Sequence, residues 1–123
     1  MLGIKNVRIE TIAAGTIEAG CITVREGKIA ELGRDLDLSG CEKVIDGRGR
    51  VVTPGLIDAH THLGLSESGV GPEGRDTNEG TSPITPCLSV RDGINMQDQA
   101  FASFRRSGIT TVGVFPGSGN LLG

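Results

Sequence analysis

The chain has 123 residues, 37% of them hydrophobic, with three Phe and neither Trp nor Tyr, so it is long enough for one modest core but short of large side chains to fill it. A formal net charge of −3, with Arg105-Arg106 the densest basic pair, argues against a nucleic-acid surface. Twenty Gly and five Pro point to turns and loops and away from a helical bundle.

Lys5, Arg8 and Glu10 interrupt the N-terminal apolar run before it could serve as a signal peptide, and no stretch approaches transmembrane length. The expectation is therefore a protein without a membrane partner. Cys21, Cys41 and Cys87 are scattered, forming neither a disulfide framework nor a CxxC pair. A reducing cytoplasm is the simplest location.

Taken in order, residues 2–12 read as a strand carrying Ile4, Val7, Ile9 and Ile12 among polar partners. A turn region from Gly15 to Gly20 leads to a second strand over 21–26, where Ile22 and Val24 alternate with Thr23 and Arg25. Glu26-Gly27 supplies the tight turn of a hairpin whose second arm is 28–33. After a polar connection over 34–41, short strands are expected at 43–46 and 50–53, separated by Gly47-Arg48-Gly49. Residues 1–53 thus read as a small antiparallel β module of about five strands, near the usual sheet size.

Pro54 lacks a backbone donor and Gly55 permits a sharp bend, so this pair marks the boundary to a second region, 54–123. Residues 56–62 are apolar on both faces, the pattern of a strand buried on both sides. The polar segment 64–95 is too long for an ordinary connection, and reads as an active-site loop or as disorder. A helix is expected over 96–107, with Asn95 as its N-cap, Arg105 and Arg106 in the last turn and Gly108 as the stop. A β-branched strand follows at 109–115. Strand, crossover helix and strand make a βαβ unit.

The chemistry concentrates at the end of 56–62. Both histidines of the chain, His60 and His62, lie there two residues apart. In a strand, residues i and i+2 share a face, so Asp58, His60 and His62 are expected to project together. Two neutral imidazoles side by side form half of a metal site. The bland alternative is two unrelated loop histidines. Cys87 lacks a CxxC partner and has only Arg91 as a basic neighbour, so it reads as an inert thiol, with Cys21 and Cys41 structural or incidental. The glycine-rich end 117–123 departs from G-x-G-x-x-G spacing and has no helix to follow it, so nucleotide binding is not expected.

Pro54-Gly55-Leu56-Ile57-Asp58-Ala59-His60-Thr61-His62 resembles the first-strand signature of the amidohydrolase superfamily of metal-dependent hydrolases. The lead-in from Lys43 to Val52 is typical of the same family. Thr85-Pro86-Cys87, Asp92-Gly93-Ile94-Asn95 and Gly108-Ile109-Thr110-Thr111-Val112 resemble its imidazolonepropionase-like branch, although Cys87 stands where that branch is expected to carry a histidine. The resemblance implies a mixed β and α/β fold. Residues 1–53 would be part of a composite β-sandwich, and residues 54–123 the first βαβ unit of a truncated TIM-type (β/α)8 barrel, which takes about 250 residues when complete.

The resemblance further implies a divalent metal, zinc first, as one or two ions in the full family context, with His60 and His62 as ligands. Asp58 would be the carboxylate that orients the ligating imidazoles. The reaction implied is hydrolysis of a C–N bond in an amide, cyclic amide or amidine of a small-molecule substrate, through metal-activated water. The general base and remaining ligands are expected on later barrel strands, so no catalytic residue is assigned here and the chain alone is expected to be inactive. Two other readings compete: a stand-alone β-rich binding or assembly module, and a small metalloprotein completed by oligomerisation. Uncovered strand edges and apolar faces lead in either case to an expected homo-oligomer.

Overall fold

The computed structural model describes residues 1–120. The chain divides into two compact units, Met1–Pro54 and Gly55–Gly123. The last residues of the glycine-rich end, 121–123, lie outside the described residues.

The first unit is one five-stranded sheet. Its strands are β1 (Leu2–Glu10), β2 (Thr16–Arg25), β3 (Lys28–Gly33), β4 (Lys43–Asp46) and β5 (Val51–Val52). The order is β3-β2-β1-β4, with β5 also on β1. The hairpin of β2 and β3 forms as the Glu26-Gly27 turn requires, both residues taking positive φ, 51° and 75°. The expectation of an all-antiparallel module is corrected: β4 and β5 run parallel to β1, so the sheet is mixed. The polar segment 34–41 returns the chain to the starting end of β1, which makes the parallel pairing possible.

Two boundaries also move. The first strand ends at Glu10, because Ile12 sits in a turn at φ 66° with 79% of its surface exposed. That turn is closed by the Thr11 hydroxyl, which donates to the Gly15 carbonyl at 2.7 Å and accepts from the Ala14 amide at 2.8 Å. The second strand therefore begins at Thr16 and not at Cys21, and the span from Gly15 to Gly20 is mostly strand.

Simple alternation along β1 would turn Val7 outward if Ile4 pointed in. A bulge resolves this. Asn6 takes φ 55° and the β1–β2 register shifts between Ile4 and Val7. Val7 and Ile9 then join Ile22 in the buried core, with Ile4, Ile17, Val24 and Val52 packed around them. Gly47 lies directly over the Val7 side chain, too close for any Cβ.

In the second unit, β6 (Leu56–Thr61) and β7 (Ile109–Val114) pair in parallel, joined through α1 (Gln99–Arg106). This is the βαβ unit, and the mixed β and α/β class holds. Burial of β6 on both faces does not occur: Leu56 and Ile57 are 57% and 72% exposed, because the described sheet has only two strands to cover them. The helix starts later than expected. Asn95 caps a preceding turn, its Oδ1 accepting from the Gln97 amide and its Nδ2 donating to Glu67, while Asp98 becomes the N-cap by accepting from the Ala100 amide.

Segment 64–95 carries no α-helix and none of the named strands. Short 3-10 turns at Pro72–Gly74 and Val90–Gly93, a bridge between Ser66 and Arg75, and the buried side chain of Leu65 organise it.

Candidate metal-ligand pair at the end of a parallel strand

β6 is held to β7 by a register that pairs Asp58 with Val112 and Thr61 with Val114. Close approach is needed here, since a Cβ at Gly113 would stand 2.6 Å from the Ala59 carbonyl oxygen. The Thr61 hydroxyl donates to the Gly113 carbonyl at 3.1 Å, and the Phe115 amide donates to the Thr61 carbonyl at 2.9 Å. The strand ends are thereby pinned together where the histidines emerge.

His60 and His62 are brought together. Their ring centroids are 5.6 Å apart in an edge-on arrangement, and both side chains are open to solvent. Phe115 contacts both in different ways. Its ring stacks on His60, with centroids 5.0 Å apart and planes 8° from parallel. Its carbonyl oxygen lies 2.8 Å from His62 Nδ1. A carbonyl only accepts, so Nδ1 carries the proton in neutral His62 and Nε2 keeps its lone pair for a ligand. Phe115 was not singled out by the sequence; read as the last residue of the strand 109–115, it gave no sign that its main chain would face an imidazole, and β7 itself ends at Val114.

Asp58 does not stand behind an imidazole in this structure. Its Oδ1 accepts from the backbone amide of His60 at 3.3 Å, the local bond that Asp commonly makes two residues on. For His62, the hydrogen-bond partner at Nδ1 is the Phe115 carbonyl. Cys87 is an exposed free thiol, and Cys21 and Cys41 are free and half-buried.

Among the described residues, no cluster of three or more His, Cys, Asp or Glu side chains is placed to hold a metal ion. The pair fits a metal as an incomplete donor set. A cleft of about 220 Å³, lined in part by Asp76, Glu79, Asp92, Pro116 and Asn120, includes neither histidine. Among the described residues no helix is long and apolar enough to cross a membrane.

A β module is thus followed in the chain by a βαβ unit with an HxH pair at the end of its first strand. The comparisons agree. No protein-family model matches the chain. It is 47% identical over 66 residues to an imidazolonepropionase of Ralstonia nicotianae, covering 47% of this chain and 16% of that protein. It superimposes on an amidohydrolase from Thermotoga maritima with a TM-score of 0.87 at 35% identity, covering 98% of this chain and 31% of that one. Atrazine chlorohydrolase TrzN from Arthrobacter aurescens, complexed with zinc, matches with a TM-score of 0.51 at 32% identity, over 58% of this chain and 17% of that one. The chain thus spans less than a third of the length of each of these relatives. It belongs to the amidohydrolase superfamily and corresponds to the N-terminal portion of its members.

Proposed function

We propose that this chain supplies two metal ligands, His60 and His62, to a hydrolase that cleaves a C–N bond in an amide, cyclic amide or amidine. The observation that carries this reading is the 5.6 Å approach of two exposed imidazoles, one with Nδ1 committed to a carbonyl and Nε2 left open. A neutral imidazole held this way is a prepared ligand for zinc, the cation we favour. Likeness to an imidazolonepropionase supports that branch, and likeness to a zinc-complexed chlorohydrolase supports the metal.

When bound, a divalent ion supplies Lewis-acid polarisation of the substrate and acidifies a water. The chain's own residues do the rest of what can be assigned to them. His62 offers Nε2 because Phe115 holds its other nitrogen, His60 keeps its ring plane against the Phe115 ring, and the solvent-open strand end admits a small molecule. Asp58 is occupied with the His60 amide and is not assigned as the base. Catalytic zinc sites have three protein ligands, so this chain by itself is expected to bind zinc weakly and to turn nothing over. Cytoplasmic residence is our reading of the three free thiols.

Calorimetric titration of the chain with zinc tests the assignment. Saturable binding of one ion per chain is expected, weakened at least about tenfold by either His60→Ala or His62→Ala. Affinity unchanged in both variants would overturn it.

A further inference from the structure

Phe115 is held on one side by its amide bond to the Thr61 carbonyl, and the chain that follows it is held as well. Residues 116–120 are laced to the long segment after β6. The Gly117 amide donates to the Thr77 carbonyl at 2.6 Å, and the Gly119 amide to Asn78 Oδ1 at 2.8 Å. Asn120 makes three bonds through one side chain. Its Nδ2 donates to the carbonyls of Glu79 and Ser82, both at 3.0 Å, and its Oδ1 accepts from the Glu79 amide at 3.2 Å. Asn120 is half-buried, so these bonds are partly shielded from competing water. A Cβ at Gly117 or Gly119 would come within 2.6 or 2.7 Å of the Asn78 amide group, which leaves little slack in the lacing.

We propose that Asn120 and Asn78 are positioning residues for the strand-end histidines. By fastening 116–120 to 77–82 they fix the Phe115 carbonyl, and that carbonyl fixes the proton of neutral His62 on Nδ1. Residues 77–82 of the long segment thus act on the His62 ring through the chain that follows β7. His62 Nε2 is kept as an acceptor because a hydrogen bond to a carbonyl at Nδ1 is available only while Phe115 stays in place. The consequence for a metal rests on the ligand assignment proposed above; the consequence for the tautomer does not.

The test is the tautomer of His62, read from two-bond ¹⁵N–¹H correlation spectra of the 123-residue chain in mildly alkaline buffer. Wild type is expected to show the Nδ1–H form at His62. Asn120→Ala is expected to convert His62 to a mixture containing the Nε2–H form, while amide shifts of Leu56–Thr61 and Ile109–Val114 show the sheet intact. Asn78→Ala, which removes a single bond to residues 116–120, should move the tautomer in the same direction by less and guards against a folding failure of the first variant. A wild-type Nε2–H form, or an unmoved tautomer in both variants with the sheet intact, overturns the proposal. Zinc titration of the same samples separates the two readings. A tautomer that responds in a chain that never binds zinc upholds the positioning role and removes the ligand assignment. With zinc bound, the variants should lose several-fold in affinity.

Discussion

His60 and His62 are held by different parts of one residue. The ring of Phe115 lies on His60, while its main-chain oxygen meets His62. Phe115→Leu should therefore separate them: the His62 Nδ1–H tautomer persists, whereas His60 loses its ring-current shift and its fixed plane. Proton NMR of the two imidazoles reads this, and a change at His62 alone would contradict the division of roles. Asp98 offers a second residue-scale test. Its Oδ1 caps α1, but its buried Oδ2 has no hydrogen-bond partner among the described residues. Asp98→Ala should lose about 1 kcal/mol with the cap. Asp98→Asn keeps the capping oxygen, so in urea it should retain most of the stability that Asp98→Ala loses.

At the scale of elements, β4 shows how local charge steadies a strand end. Asp46 accepts from the Arg48 backbone amide at 2.9 Å and from the Asn6 side-chain amide at 3.1 Å, tying the turn after β4 to the bulge in β1. These bonds, the Arg48 amide first, hold its carboxyl below the usual aspartate range. Glu42 is lowered too, first by its hydrogen bond from the N-terminal ammonium and then by that group's charge. A carboxylate whose pKa is depressed by folding stabilises the fold above its unfolded pKa, and that contribution is lost as pH falls through the folded value. Stability should hold above about pH 5 and decline below about pH 4. Asp46→Asn should flatten part of that decline in an acid titration followed by circular dichroism. A profile for the variant that parallels wild type throughout would show that Asp46 contributes nothing.

For the molecule as a whole, the second unit presents apolar surface that its own strands do not cover. Leu56 and Ile57 are exposed in β6, and Phe115 is 46% exposed beyond β7. Only two strands form that sheet among the described residues, leaving outer edges able to pair with another chain. We expect the 123-residue chain to self-associate through these strands, with its mass in light scattering rising with concentration. A monomer at every concentration, with a single cooperative thermal transition, would show that the apolar surface needs no cover.

The sequence by itself determined the features that depend on spacing and on residue type. Glu26-Gly27 specified its hairpin, an apolar run and a β-branched run specified β6 and β7, and the two-residue spacing of His60 and His62 brought their rings together at a strand end. Tertiary structure alone decided whatever depends on residues far apart in the chain. The parallel pairing of β4 with β1 follows from where segment 34–41 delivers the chain. The bulge at Asn6 follows from the need to bury Val7 beneath Gly47. The helix start moved from Asn95 to Asp98 because the Asn95 side chain is drawn to Glu67, 28 residues away. Asp58 accepts from the His60 amide, while His62 Nδ1 meets the carbonyl of Phe115, 53 residues beyond it. No side-chain pattern encodes where a main-chain oxygen will point, because every residue carries one; only the β6–β7 register selects which of them meets the imidazole.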